Sequence, residues 1–308
     1  MAGSTPGSVT GSTAAVYEAE EVEEVGLEAR EPEGLRALVL GHPRVLVASL
    51  LLLLLVAAAV LAPVISPFNP LAIDPNSARL PPGGRHVLGT DELGRDVLSR
   101  VIWGGRVSLP VAFVAVAVGL VVGGAVGVVA GYRGGATDLL LMRLVDAILA
   151  FPALILAIAL VAALGPKLSN AMIAIGIVQI PVYARLTRAQ VLQLKELDFV
   201  AAARALGVPP VWIVLRHMLP NLLNPLIVQV SLSAAFAILA EATLSFLGLS
   251  APPPTPDWGF MINTGQRYLI NGSWWLTIAP GAAICLAVFG FNWLGDALRD
   301  ALDPRLRG

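Results

Sequence analysis

The 308-residue chain is 56% hydrophobic and only 13% charged, with a mean hydropathy of +0.79, where soluble domains carry roughly 25% charged residues. This composition excludes an ordinary soluble enzyme and marks an integral membrane protein. A net charge of -1 excludes the basic surface that phosphate backbones require, so no nucleic-acid partner is expected, and the single cysteine, Cys285, excludes a disulfide framework.

Residues 1–35 are rich in Gly, Ser and Thr and carry eight glutamates between Glu18 and Glu33 without apolar periodicity, which predicts a disordered acidic tail. The domain that follows is expected over 36–308. Its first apolar run lies too deep in the chain and is too long for a cleaved signal peptide, so it is expected to stay as an anchor.

A spanning helix needs about 20 apolar residues. Six segments approach that length, near 44–66, 108–131, 143–164, 169–184, 222–249 and 276–297, predicting an all-α protein with six transmembrane helices. The fourth is short and bracketed by Pro166 and Pro181. With both termini inside, 13 of the 20 Lys and Arg residues fall on the inner side, which favours that orientation. Five of the remainder (Arg79, Arg85, Arg95, Arg100 and Arg106) crowd the first outer loop and count against it. In that loop Thr90 is placed to cap a surface helix whose first turn holds Asp91 and Glu92. Gly119, Gly123, Gly127 and Gly131 recur at every fourth position of the second span and make a smooth face for close helix packing.

Between spans four and five lies a polar interruption, residues 185–220. Asp198 is placed to cap a short helix, FVAAARAL, that Gly207 ends; Pro209 and Pro210 suit the first turn of a second helix, VWIVLRHML, that Pro220 limits. Ala201, Ala202 and Ala203 give the first helix a small side that another surface can approach. The expected result is a helix–turn–helix finger on the inner face.

Ala202-Ala203, three residues, Gly207, then twelve residues, the last of them Leu219, to Pro220 resemble the signature loop of binding-protein-dependent ABC importer permeases. HVLGTDELGRDVLSRVIWGGRVSL (86–109), EATLSFLGLSAPPPTPDWGFMIN (241–263) and FNWLGDALRDALDPRLRG (291–308) are similar to the peptide/nickel branch, above all to its C-type subunit as in dipeptide and oligopeptide importers. The resemblance runs from about residue 36 to the end. It implies a type I importer permease of the bacterial or archaeal cytoplasmic membrane, paired with a second homologous permease. Two cytoplasmic ABC ATPases would grip the loop, an extracytoplasmic binding protein would deliver the cargo, and the implied cargo is a di- or oligopeptide. It also implies a coupling role for Asp198, Ala201, Ala202, Ala203, Arg204, Gly207, Arg216, His217, Leu219 and Pro220. The family's signature glutamate aligns with Ala201, so any salt bridge it makes is missing here. His217 follows Arg216 as the C-type branch commonly has it.

The chain has no G-x-x-x-x-G-K-[ST] phosphate loop, no H-E-x-x-H among His42, His86 and His217, and no G-x-S-x-G. ATP is therefore expected to be used by partner subunits, with no cofactor on this chain. Of the charges within spans, Asp146 stands near the start of the third and Glu241 inside the fifth, where a structural or gating role is expected. The end of the chain reads as an amphipathic inner-face helix carrying Asp296, Arg299 and Asp300, placed to pack beside the finger. The rival class is an ion-gradient-driven transporter, built from paired broken helices with midplane charges; no second copy of any segment supports it.

Overall fold

The computed structural model describes residues 42–302, so the acidic tail expected over 1–35 lies outside the described residues. These residues are almost wholly helical, and among them there is no β-strand. The long helices are α1 (Pro43–Val60), α2 (Val97–Arg133), α3 (Gly135–Leu149), α4 (Ala153–Leu164), α5 (Leu168–Lys195), α6 (Asp198–Ala205), α7 (Pro210–Phe246), α8 (Trp258–Gln266) and α9 (Trp275–Leu302).

Five of these, α1, α2, α5, α7 and α9, are long and apolar enough to cross a membrane. The third expected span is instead broken: α3 and α4 meet at a bend of 88° around Pro152, whose ring prevents a continuous helix through that point. The packing of α2 shows that the bent pair makes one crossing. A methyl group on Gly119, Gly123, Gly127 or Gly131 would lie 2.9, 2.9, 2.8 and 3.0 Å from the Cβ atoms of Gln179, Tyr183, Thr187 and Val191 of α5. Both sets advance together by four residues, so α2 and α5 run parallel. Two parallel helices that enter from one side require the chain between them to return, and only α3 and α4 lie between. The sixth crossing is therefore this pair.

The expected glycine face is thus the seam between spans two and four. α2 contains a π-helical turn at Gly119–Gly123, inside the seam. Pro181, expected to bracket the fourth span, lies buried within α5, which continues to Lys195. A proline removes one hydrogen bond, which packing on both faces of this helix can offset.

In the outer loop Thr90 does not cap a helix. Its hydroxyl donates to Ser77 O and accepts from the Leu80 amide at 2.8 Å, closing the loop on itself. Asp96 is the cap, accepting from the Ser99 amide at 2.8 Å, and α2 begins at Val97. Asp91 is drawn away from a helix by Arg95, whose Nε lies 2.6 Å from its carboxylate with both side chains buried. The loop is fixed to the bundle by the Trp275 indole, whose Nε1 donates to Thr90 O at 3.1 Å, while Trp258 Nε1 donates to Val101 O at 2.8 Å and ties α8 to the start of α2.

The amphipathic helix expected at the end of the chain is the last part of α9, continuous with span six, and α9 packs on α1, α7 and α8. Arg44 reaches Asp300 across 3.2 Å, which puts the start of α1 and the end of α9 on the same side of the bundle. Six crossings require that result.

Candidate functional site: the finger between spans four and five

The finger is built as a projection of the spans themselves. α5 carries span four outward to Lys195, the chain turns at Glu196, and α6 follows over eight residues. Asp198 does not cap α6: the N-cap is Leu197 and no side chain satisfies the first amides. Asp198 is the first helical residue instead, where its charge still complements the positive end of the helix.

The exit from α6 is fully specified. The Gly207 amide donates to Arg204 O at 2.9 Å and the Val208 amide to Ala203 O at 3.1 Å, the paired bonds of a Schellman turn, with Gly207 at φ +74°. Pro209 and Pro210 then start α7. Pro220 does not end this second helix, contrary to expectation. The chain passes from Pro210 through a π-helical turn, Ile213–Met218, and Pro220 falls in the first turn of the segment that continues it to Phe246. Proline is tolerated there because the π-helical turn just before it already breaks the regular hydrogen-bond ladder, where a missing amide is accommodated. The finger's second arm is therefore the foot of span five.

The two faces of the finger differ sharply. Val200, Ala203, Ile213, Met218 and Leu222 are buried together and continue the bundle core, so α6 is packed against the foot of α7. Ala201, Ala202 and Ala205 face outward, flanked by Leu197, Phe199, Val211, Trp212 and Leu215, all exposed. At the tip, Leu206 is 83% exposed. An apolar rim of this kind at the end of a membrane protein is a surface that water does not favour. Arg204 stacks its guanidinium 5.7 Å from the Tyr132 ring at the end of α2, tying the finger to span two. Farther along, Arg216 is exposed and His217 half-buried, its carbonyl accepting from Asn221 Nδ2 at 2.7 Å; Leu219 and Pro220 are exposed.

The structure therefore brings Ala201, Ala202, Arg204 and Gly207 onto one projecting element, with Ala203 turned into its core. Arg216, His217, Leu219 and Pro220 stand on the helix that bears it. Glu241 is elsewhere, fully buried near the far end of α7, with Oε1 accepting from Ser250 Oγ at 2.8 Å. Asp146 lies on α3 and pairs with Arg185 of α5 at 2.7 Å. Sequence reasoning missed the rim residues Leu197, Phe199, Leu206, Val211 and Trp212. Their signal was large apolar side chains within a segment otherwise read as polar.

A six-crossing helical bundle with a packed helix projecting between its fourth and fifth spans is the architecture of an ABC importer permease. The family described as "Binding-protein-dependent transport system inner membrane component" matches residues 123–308, and the chain belongs to it. Similar relatives include the dipeptide transport system permease protein DppC of Alkalihalophilus pseudofirmus, 44% identical over 249 residues covering 81% of this chain and 82% of the relative. The di/tripeptide transport system permease protein DppC of Pseudomonas aeruginosa is 46% identical over 264 residues, covering 84% and 87%. The probable D,D-dipeptide transport system permease protein DdpC of Escherichia coli is 42% identical over 268 residues, covering 87% and 90%. Among solved structures, the MetNI methionine ABC transporter in an inward-facing conformation matches with a TM-score of 0.55 at 20% identity, covering 67% of this chain and 98% of that chain. This last likeness concerns the fold.

Proposed function

We propose that this chain is the C-type permease subunit of a peptide importer. It would form the translocation pathway with a second, homologous permease, receive di- or oligopeptides from an extracytoplasmic binding protein, and be driven by two cytoplasmic ATPases that grip α6. The observation that carries the coupling role is the two-faced finger: one side locked into the bundle by Val200, Ala203 and Ile213, the other an exposed apolar rim ending in Leu206. A lever needs both. The rim gives a soluble subunit something to bury, and the locked side passes its movement to spans four and five, of which the finger is a continuation.

Closure of the ATPases on ATP would displace α6, and the spans would switch between inward-open and outward-open states. The finger transmits force and does no bond chemistry. With no phosphate loop in its sequence, the chain leaves ATP to its partners. The finger, the start of α1 and the end of α9 share one side, and the excess of Lys and Arg there supports reading that side as cytoplasmic.

Two substitutions probe the rim. Leu206→Asp is expected to leave the amount of inserted protein unchanged and to strip the ATPases from the purified complex, because a buried carboxylate without a partner is strongly unfavourable. Undiminished ATPase recovery and uptake would remove the rim from the interface. Ala201→Glu points into solvent from the exposed face of α6 and is expected to be tolerated, with ATPase recovery equal to or above that of the native chain. Loss of assembly would mean that the Ala201 face is packed against its partner too closely for a longer side chain. The wider reading is tested by peptide uptake into vesicles: it should follow ATP and persist when the proton gradient is collapsed at constant ATP. Uptake that follows the gradient would point to a secondary transporter.

A further inference from the structure

At the opposite end of the molecule from the finger, three elements bring together oxygens that hydrogen bonding leaves unsatisfied. Glu241 lies on α7 near its outer end, Asp257 is the N-cap of α8, and Ser108 belongs to α2; all three are 0% exposed. Gly259 presses on the backbone of Ala242, which sets the Asp257 side chain beside the Glu241 carboxyl, and Ser108 faces the same place from α2. Glu241 Oε2, Asp257 Oδ2 and Ser108 Oγ have no hydrogen-bond partner, although the other oxygen of each carboxyl is engaged. Glu241 Oε1 accepts from Ser250 Oγ at 2.8 Å. Asp257 Oδ1 accepts from Ser245 Oγ and from the Gly259 and Phe260 amides at 2.9 and 3.3 Å.

Two ionised carboxylates cannot satisfy one another, since neither carries a donor, and two like charges buried together repel. We propose that Glu241 and Asp257 hold one proton between them, donated from Glu241 Oε2 to Asp257 Oδ2, and that this bridge fastens the outer helix α8 to span five. A single proton turns one acceptor into a donor and supplies both unpaired oxygens at once. The direction of donation follows from the surroundings. Asp257 stands at the positive end of α8 with three donors on Oδ1, an environment made for a carboxylate, whereas Glu241 has one donor. The seat is tight: Trp258, next to Asp257, bonds to Val101 O, and a methyl group on Gly259 would collide with Ala242 O. A sodium ion is the other single positive charge such a place could take, but it would require several more oxygen ligands.

The site does not depend on the identity of the cargo, so its test is separate from the uptake experiment. The full chain, purified in lipid nanodiscs with whatever subunits accompany it, is compared with Glu241→Gln by infrared difference spectroscopy at neutral pH, in sodium-containing and sodium-free buffers. The expected result is one protonated-carboxyl C=O band, sensitive to exchange into D2O, present in both buffers and lost in Glu241→Gln. That variant should still assemble, because its amide donates where the acid did. Should it fail to assemble, Asp257→Asn gives the second reading: it should displace the same band by changing the acceptor. Absence of an acid band from the native protein would overturn the proposal, as would a band unmoved by both substitutions or one that appears only when sodium is removed.

Discussion

Gly207→Val is expected to insert into the membrane at native levels while losing ATPase recovery and ATP-driven uptake. The space around Gly207 is open, so no clash is involved. The cost is conformational. The residue sits at φ +74°, where a β-carbon meets the following carbonyl, and forcing an ordinary residue there costs about 1–2 kcal/mol, with β-branched valine at the high end. That penalty falls on the one turn that aims α6 and not on the bundle core. A loss of 1–2 kcal/mol at an interface is roughly a 5–30-fold loss of occupancy. Gly207→Asn, which tolerates the left-handed region, should retain most activity. The pair is read by quantifying co-purified ATPase and vesicle uptake side by side; equal behaviour of valine and asparagine would mean that the turn is not the element that positions the finger.

The second large effect is predicted within the membrane. Gly127→Leu should abolish assembly or lower the melting temperature sharply, because even the first carbon of the new side chain would collide with Ala184 O and lie 2.8 Å from the Thr187 Cβ. Overpacking of this kind costs about 1–3 kcal/mol where neighbours can yield. Here the neighbour is backbone. Gly124→Leu is the control: it lies on the same helix, three positions away, and meets only Thr187 Oγ1 at 4.0 Å. Thermal unfolding followed by tryptophan fluorescence in detergent should separate the two variants. Equal stability would mean that spans two and four are not joined along the glycine face.

What could be read from the residues followed their physics. The glycine face was legible because its period matches the helix and no other residue type permits backbones to approach so closely. The turn at Gly207 was legible because glycine takes a positive φ without strain and stands just past a helical pattern. The break in span three was not, because a proline such as Pro152 within an apolar run can kink a helix without ending it; only the parallel course of α2 and α5 shows that the two halves count as one crossing. Thr90 and Asp198 were misjudged as caps by a common cause. Each has the right side chain one step before a helical pattern, but cap choice is decided by backbone course, and tertiary bonds to Ser77 and Leu80 hold Thr90 elsewhere. Pro220 was misread because a proline that stops a helix and one accommodated beside a π-helical turn carry the same signal. The partner of Glu241 was hidden as well, since Asp257 lies beyond the end of the span and meets it only after the chain folds back.

The most direct measurement of the central claim is a cross-link from the tip of the finger. With Cys285→Ser removing the only cysteine, Leu206→Cys places a single thiol at the exposed apex, and a short bifunctional reagent is applied to native membranes before purification and mass spectrometry. The coupling account predicts one dominant adduct, to a phosphate-loop ATPase, whose yield changes when ATP is added, together with a second permease in the purified complex. Recovery of the chain alone, or of an adduct with no ATPase in it, would contradict the account and leave the finger without the partner its two faces imply.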